Sequence, residues 1–310
     1  MHYVGIDVSK KKLDICLLIR GADDTLKRKT KVIDNNHHCA SAVIDWLLRQ
    51  KCSLGDVRIT LESTGTYHEV LCNGLSDAGI HVSIVNPYRI REFAKGMDIL
   101  TKTDIVDAFV LARYSELKKP TAWIASPPEV RELKSLIRRR DALLEDEMCE
   151  RNRQEKTDPA YTSKVVIESI AKILKALEKE RKAIEAEISK HIDNHPGLKK
   201  DMELLTSIKA VGTQVGSNML MVLRGREFNS AEQVAAYLGV VPIEKRSGTS
   251  VNYRAKLSKA GPPEIRAKLY IAALTAIRFN PHVKALYERL SLKGKTKMAA
   301  LGAAMRKLVH

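Results

Sequence analysis

YVGIDVSKKKLDICLLI, residues 3–19, is the stretch that decides the fold of the first part of the chain. Tyr3–Ile6 and Leu13–Ile19 are apolar runs of strand length, and Ser9–Lys12 between them is polar. Two such runs joined by a short polar segment predict a β-hairpin. Asp7 directly follows the first strand of this hairpin.

The segments after the hairpin extend it to an α/β layer. Three strands, a helix, a strand, a helix, a strand and a helix form the element order of the RNase H-like fold, which has a mixed sheet. Fold order alone is weak evidence for function. The later elements are a weak third strand around Lys29–Ile33, a helix over about His38–Gln50, a strand over Val57–Glu62, a helix that buries Val70, Leu71 and Leu75, a strand over His81–Val85, and a helix that begins near Lys102.

Lys102–Ala108 reads KTDIVDA and places two carboxylates at the start of the last of these helices. Asp104 and Asp107 are three positions apart, so they lie on one helix face, one turn apart. Acidic residues in a first turn also cap free N–H groups and suit the helix dipole, so capping is the simpler interpretation of an isolated pair. The competing interpretation is a catalytic acid set, because Asp7 follows one strand and Glu62 ends another.

The charge of the whole chain favours a polyanionic partner. The 310 residues allow one large domain or two to three smaller ones, and 53 Lys and Arg against 37 Asp and Glu give a net charge of +16. Nucleic acid is the first candidate and a membrane surface the second, but no apolar run approaches the roughly 18 to 20 residues that span a bilayer. No export signal is visible, so the sequence predicts a cytoplasmic, nucleoid-associated protein without a membrane partner.

The composition changes after Lys118-Lys119-Pro120, which predicts three parts. Residues 1–125 form the α/β domain, 126–195 a helical coiled-coil region for oligomerisation, and 196–310 a mainly α domain. The middle region favours an antiparallel helical hairpin or an intermolecular coiled coil. Its periodic apolar residues are Val130, Leu133, Ile137, Leu144 and Met148, then Ile170, Leu174, Leu177, Ile184, Ile188 and Ile192, with Arg181 as the one polar residue of the second seam.

Four carboxylates that converge would repel one another and raise their pKa values unless divalent cations neutralise them. Mg²⁺ prefers oxygen ligands and keeps positions open for phosphate oxygens. Two such ions stabilise both the attacking and the leaving oxygen in phosphoryl transfer. A basic protein with this acid set therefore suggests metal-dependent chemistry on nucleic-acid phosphodiesters. The five cysteines have no metal-ligand or disulfide spacing, which favours buried reduced thiols.

Short motifs along almost the whole chain resemble the DEDD transposases of bacterial insertion sequences. That family pairs a RuvC-like N-terminal domain with a C-terminal transposase domain and includes the Piv-type DNA invertases. Each motif is weak alone, but their joint order is specific. The motifs are Gly5–Lys10, Leu61–Tyr67, Asn86-Pro87, Lys102–Ala108, Tyr237–Pro242, Arg246–Val251, Ser258–Gly261 and Met305–Leu308.

The resemblance implies roles for individual residues. Asp7, Glu62, Asp104 and Asp107 match the acids that bind two Mg²⁺ ions, and Ser247 matches a serine nucleophile that becomes joined to a DNA phosphate. The resemblance also implies a dimer or tetramer, in which the serine of one subunit completes the acid site of another. Several relatives use a bridge RNA that pairs with donor and target DNA, so both DNA and a bridge RNA are implied partners.

The residues near Ser247 support more than one interpretation. A serine hydroxyl needs a base or a metal ion to activate it, and no histidine is near in sequence, so a metal ion of the acid site is the economical activator. The loop could also be only a turn or a phosphate clamp, and Ser250 and Ser258 compete for the role. Lys245, Arg246, Arg254, Lys256 and Lys259 around the loop are candidate phosphate contacts.

Further candidates lie outside the serine loop. Arg138, Arg139 and Arg140 are as consistent with a solvated helix face as with a nucleic-acid contact. Tyr67, Tyr88 and Tyr253 are candidates for base stacking, or ordinary half-buried tyrosines.

The chain departs from the family pattern at two places. Lys209 and Ala210 stand where the family often has the Pro and first Gly of a helix-hairpin-helix-like turn, which puts a standard phosphate clamp there in doubt. The sequence ends at His310, shortly after the Met-Arg-Lys-Leu motif, where relatives usually continue.

Three functions compete with a transposase that forms a phosphoserine intermediate. A Piv-type site-specific invertase shares all the motifs. A RuvC-like structure-specific endonuclease would use the acids without a serine nucleophile. A nucleic-acid-binding protein without activity would leave the acid set unexplained. The target sequences, the guide and the choice between insertion and inversion are not encoded in these patterns.

Overall fold

A five-stranded mixed sheet organises the first part of the chain in the computed structural model. The strand order is β3-β2-β1-β4-β5, in which β1, β2 and β3 are antiparallel neighbours and β4 and β5 run parallel to β1. This order confirms the predicted hairpin and the RNase H-like α/β layer. The strands are β1 His2–Val8, β2 Lys12–Arg20, β3 Leu26–Asp34, β4 Val57–Glu62 and β5 His81–Val85.

The structure describes residues 1–21, 25–63, 65–101, 103–247 and 251–310, without the side chains of 245–247 and 251–254. Lys102 and Ser250 therefore lie outside the described residues, as do the side chains of Lys245, Arg246 and Arg254. The chain divides into two compact units, Met1–Ala125 and Ser126–His310.

Four helices cover the two faces of the sheet in the first unit. Side chains of α1 and α2 pack on the face formed by Val4, Ile6 and Val8. The opposite face packs against α4 through a small cluster that includes Cys16 and Ala108. The helices are α1 Cys39–Arg49, α2 Glu69–Asp77, α3 Pro87–Gly96 and α4 Asp104–Lys118.

Helix α3 was not predicted, because its sequence is basic and only weakly periodic. Its start nevertheless carries a helix signal: the Asn86 side chain accepts a hydrogen bond from the Tyr88 amide at 2.8 Å, and Pro87 occupies the first helical position. The element order is therefore the predicted one with α3 inserted before α4.

The second unit is mainly helical, as predicted. Its only described strands, β6 Pro242–Ser247 and β7 Val251–Leu257, form an antiparallel pair that carries the serine loop. The helices are α5 Pro128–Glu155, α6 Lys164–Asp193, α7 Pro196–Ser207, α8 Thr213–Arg224, α9 Ala231–Tyr237, α10 Pro263–Phe279, α11 Pro281–Leu292 and α12 Lys297–Val309.

Helices α5 and α6 form an antiparallel hairpin within the chain, one of the two predicted arrangements. The apolar base of the hairpin packs with α7 and α8 through Ile137, Ile188, Leu198 and Leu220. This packing joins the predicted middle region to the C-terminal helices in one unit.

The seam of the hairpin is more charged than predicted. Met148 was expected to be buried but is 58% exposed, and Leu143 is buried where Leu144 was predicted. Glu147 is buried and accepts a hydrogen bond of 2.7 Å from Arg181, the predicted polar seam residue. The heptad spacing does not show which seam positions are charged, because ion pairs can replace apolar contacts at these positions.

The cysteines and the hydropathy of the helices bear on two further predictions. Cys16, Cys39, Cys52 and Cys72 are buried free thiols as predicted, whereas Cys149 is exposed. Among the described residues, no helix is both long and apolar enough to cross a membrane.

Candidate active site

The site lies where helix α4 crosses strand β1 so closely that backbone atoms of the two elements are in contact. A Cβ atom at Gly5 would lie 2.0 Å from the carbonyl oxygen of Ala108 and 2.3 Å from the amide nitrogen of Ala112, so only glycine fits between strand and helix. Asp7 is two residues further along the same strand face. The close crossing therefore brings the first turn of α4 to Asp7.

The first turn of α4 is capped by Thr103 and not by an aspartate. The Thr103 hydroxyl accepts a hydrogen bond of 3.3 Å from the Val106 amide. Asp104 and Asp107 lie in the first turn of the helix as predicted. Neither aspartate is therefore the N-cap residue of α4.

Acids from β4, β2 and α4 surround Asp7. In the parallel pairing of β1 with β4, Ile6 lies opposite Leu61, which places Glu62 beside Asp7 on the same face. In the antiparallel pairing of β1 with β2, Asp14 lies directly opposite Asp7. Carboxylate oxygens of Asp7, Asp14 and Asp104 all lie within 4.8 Å of one another.

Sequence reasoning missed Asp14, which is only 4% exposed. Its carboxylate interrupts the apolar run of the second strand, and a charged residue in such a run was the available signal. The hairpin register was also needed, because it decides which residue faces Asp7.

The acids change the protonation of Asp7. Partial burial, and then the negative charges of Glu62, Asp104, Asp107 and Asp14 in this order, together raise the pKa of Asp7 from 3.8 to about 6. The other three predicted acids therefore all act on Asp7 in the folded chain. A carboxyl group with this pKa gives up its proton near neutral pH when a cation is supplied.

Lys12 places a positive charge inside the cluster. Its ammonium group donates a hydrogen bond of 2.7 Å to Asp104 Oδ2 and lies 3.0 Å from Asp14 Oδ2. The hydrogen bond to Asp104, and then the close contact with Asp14, raise the pKa of Lys12, so the ammonium stays charged. In the sequence, this lysine belongs to the polar turn of the hairpin and carries no signal of this contact.

The donor set fits a hard divalent cation. All the converging ligands are carboxylate oxygens, which Mg²⁺ and Mn²⁺ prefer. A cationic group already sits between two of the carboxylates in the form of the Lys12 ammonium. The geometry thus supports the predicted metal-binding character, without selecting among the divalent metals.

On either side of the serine loop, the structure describes the backbone up to residue 247 and from residue 251 onward. Ser247 is the last residue of β6 and pairs with Val251 of β7. Lys256 and Lys259 are exposed, as a phosphate contact requires. The competing hydroxyl of Ser258 is shielded from solvent.

The three consecutive arginines of α5 do not share one environment. Arg138 and Arg139 are exposed, but Arg140 is only 2% exposed and donates hydrogen bonds to Asp141 and to Ser217 of α8. The predicted nucleic-acid contact is therefore wrong for Arg140, because its guanidinium is used inside the unit. A helix turns by about 100° per residue, so three neighbours necessarily face different directions.

Replacing Arg140 by alanine is expected to lower the free energy of unfolding by about 2 kcal/mol, because a buried partner is left without its charge-assisted hydrogen bond. Urea unfolding of the full chain measures this loss. Arg139→Ala, which removes the same charge from the exposed neighbour, is the control and should change stability little. Equal losses in both variants would contradict the buried role.

The candidate stacking tyrosines differ in accessibility. Tyr67 is 46% and Tyr88 is 69% exposed, so both rings can reach a ligand. The side chain of Tyr253 lies outside the described residues. At the predicted departure from the family turn, Ala210 adopts a left-handed backbone with φ of 82°, a conformation that glycine adopts more easily.

Known proteins similar to this chain point to one family. A family profile described as DEDD_Tnp_IS110, transposase, matches residues 4–157, and one described as transposase IS116/IS110/IS902 family matches residues 202–288. Together the two matches cover more than three quarters of the chain.

Curated relatives extend this similarity. The pilin gene-inverting protein of Moraxella bovis is 29% identical over 99% of this chain and 93% of its own length, and that of Moraxella lacunata is 28% identical over the same shares. An insertion element IS110 protein of Streptomyces coelicolor is 29% identical over 45% of this chain and 34% of its own length.

A solved structure of RuvC from Thermus thermophilus is also similar, with 14% identity, a TM-score of 0.30, and coverage of 39% of this chain and 99% of that chain. The strand order of the sheet and the positions of the acids define the fold of this chain. With both family profiles matched in order along it, the chain belongs to the IS110 family of DEDD transposases and DNA recombinases.

Proposed function

We propose that the protein cuts and rejoins DNA strands at the acid cluster, through a covalent bond between Ser247 and a DNA phosphate. The observation that carries the proposal is the convergence of Asp7, Glu62, Asp104 and Asp107 on one edge of the sheet in a member of a transposase family. Magnesium is the proposed metal, with two ions held by these acids.

The proposed reaction conserves the phosphodiester bond. The Ser247 hydroxyl loses its proton and attacks the scissile phosphorus, and the bond from phosphorus to one sugar oxygen breaks as that oxygen gains a proton. A hydroxyl of a second strand then attacks the phosphoserine and releases the serine. Bound divalent cations supply Lewis-acid stabilisation of the attacking and leaving oxygens.

The basic surface supports DNA as the substrate. The net charge is +16, and exposed Lys256 and Lys259 follow the serine loop directly. Phosphate contacts of this kind position a duplex and weaken as salt rises. Exposed Arg138 and Arg139 are the proposed contacts on α5, together with Lys245, Arg246 and Arg254 at the loop.

Ser247→Ala is expected to abolish the covalent protein–DNA product while DNA affinity stays unchanged, because the change removes only the attacking oxygen. Supercoiled DNA that carries an element end is incubated with protein and Mg²⁺, denatured, and analysed for protein-linked strands. Ser258→Ala is the matched control, and its adduct should persist, since that hydroxyl is shielded from solvent.

An adduct formed by the Ser247→Ala variant would refute the nucleophile. Strand cleavage without any adduct in the unmodified protein would instead favour a RuvC-like endonuclease that uses only the acids.

Assembly of the site from two subunits is also proposed, on the resemblance to the family. Mixing Ser247→Ala protein with Asp7→Asn protein tests it directly. Each variant alone lacks either the serine or an intact acid cluster. In a mixed oligomer, the acid cluster of the Ser247→Ala protein can be completed by the serine of the Asp7→Asn protein, which restores one intact site. Recovery of cleavage supports completion by a partner subunit, and its absence in demonstrated mixed oligomers contradicts it.

A bridge RNA is proposed on the same resemblance. The matching experiment is to sequence RNA that copurifies with active protein and to remove it with ribonuclease. Loss of activity after digestion, restored by the sequenced RNA, supports the guide. Active protein that consistently contains no RNA contradicts it.

Site-specific inversion is the second candidate activity. The two pilin gene-inverting proteins match this chain over nearly its whole length and nearly all of theirs, unlike the insertion-element protein. A plasmid with two inverted recombination sites separates the activities: inversion reverses the intervening segment, whereas transposition moves an element to a second plasmid.

A further inference from the structure

The acid cluster contains a basic side chain that none of the proposed chemical steps requires. Lys12 begins β2, and its ammonium lies between two carboxylates, 2.7 Å from Asp104 Oδ2 and 3.0 Å from Asp14 Oδ2. It therefore joins a residue on the sheet to a residue on α4.

Asp14 fixes one end of this contact. Its side chain is 5% exposed, whereas the side chains of Lys12 and Asp104 are 42% and 52% exposed. Asp14 Oδ2 is shielded from solvent, so water cannot stabilise its negative charge. A buried carboxylate therefore requires a nearby cation or a bound proton. The Lys12 ammonium is the cation that lies against it.

The carboxylates that Lys12 contacts also belong to the group that could hold a metal ion. Asp7, Asp14 and Asp104 bring carboxylate oxygens within 4.8 Å of one another, and the Lys12 ammonium contacts the last two. A divalent cation that binds Asp104 and the ammonium cannot both lie against the same Oδ2 atom without strong repulsion. A metal ion on these carboxylates and the Lys12 ammonium therefore repel each other and compete.

We propose that Lys12 is a tethered counter-ion of the acid cluster, which holds Asp14 and Asp104 together without metal and which a divalent cation displaces on binding. The proposal rests on the proposed metal site. It assigns Asp14 as the anchor of the lysine and as a fifth acid around the metal. Lys12 thereby lowers the affinity of the site for metal and keeps the first turn of α4 in place until metal arrives.

Replacing Lys12 by methionine, which keeps the length of the side chain, is expected to lower the dissociation constant for Mn²⁺ about tenfold, because the competing charge is gone. Calorimetric titration of the metal-free full chain with Mn²⁺ measures it. Lys11→Met is the matched control: it removes the same charge from an exposed lysine one position earlier and should change the constant little. Equal constants for Lys12→Met and the unmodified protein would overturn the proposal.

The unmodified protein provides a second test that does not depend on the folding of a variant. The ion pair protects the Lys12 amine, so its acetylation by an amine-reactive ester, followed by mass spectrometry, should accelerate when the protein is saturated with Mg²⁺. Lys11 should react at the same rate in both conditions. A Lys12 rate unchanged by saturating Mg²⁺ would refute displacement.

The outcomes separate the two proposals. If the unmodified protein binds no divalent cation in the titration, the metal site and the counter-ion role both fail. If it binds Mn²⁺ but neither the Lys12→Met constant nor the Lys12 acetylation rate shifts, only the counter-ion role fails.

Discussion

Asp7→Asn is expected to reduce strand cleavage by about 10³-fold or more, because the change removes the carboxylate that faces all the other acids of the site. Cleavage of supercoiled DNA in Mg²⁺ measures this loss. Asp45→Asn, an exposed residue of α1, is the control and should cleave normally. Loss of a catalytic group reduces the rate by far more than tenfold. A cleavage rate of Asp7→Asn within tenfold of the unmodified protein would therefore contradict a central role for Asp7.

The same substitution is expected to stabilise the metal-free protein. The folded pKa of Asp7 is about 6 against an ordinary 3.8, so between these pH values the folded chain binds more protons than the unfolded chain. Stability conferred by the protonated carboxyl is therefore present at low pH and is lost as the pH rises through this window. Asp7→Asn removes this loss of stability. At pH 8 we expect the variant to be more stable than the unmodified protein by about 1 kcal/mol, with solvent screening allowed for.

Urea unfolding in a metal chelator at pH 4 and pH 8 measures this effect. Asp7→Asn should exceed the unmodified protein in stability at pH 8 and match it at pH 4. A difference of the same size at both pH values would show that the gain does not arise from ionisation. Together with the loss of cleavage, the result would identify Asp7 as a residue kept for function at a cost in stability.

Gly5→Ala is expected to lower the free energy of unfolding by about 3 kcal/mol and to reduce cleavage in the molecules that stay folded. The new methyl group would meet the backbone of α4, which cannot turn aside as a side chain can. Displacement of α4 by about 1 Å separates Asp7 from the first turn of the helix, and such shifts cost roughly 10² in rate.

Urea unfolding and the cleavage assay measure the two effects of Gly5→Ala. Gly55→Ala is the matched control, because a Cβ atom there meets nothing within 4 Å. Comparable losses of stability in both variants would show that the change of residue type, and not the contact with α4, is responsible. An unaffected Gly5→Ala variant would contradict the close crossing.

Local patterns were sufficient to predict the sheet and most of the helices. The apolar runs Tyr3–Ile6 and Leu13–Ile19 are local features of strand length, so they are visible in sequence. Helix α3 was missed because its composition is basic, although the Asn86-Pro87 start carried a capping signal. The arrangement of the strands followed from element order, which few folds share.

The site was predicted only in part, because its remaining members depend on tertiary contacts. Asp7, Glu62, Asp104 and Asp107 stood at element ends, where a sequence pattern can place them. Asp14 and Lys12 joined them through the register of β2 and the approach of α4, neither of which a local pattern determines. The environment of Arg140 was likewise decided by α8, which lies 77 positions away at Ser217.

The absence of a side chain at Gly5 affects how the protein can be altered. Because the backbone of α4 lies directly against Gly5, the approach of β1 to α4 near Asp7 depends on main-chain atoms at this point. Side chains on the opposite sheet face, packed under α1 and α2, do not enter this contact. Engineers who seek variants with new DNA preferences can therefore randomise distant surfaces freely, provided that Gly5, Ala108 and Ala112 are left unchanged.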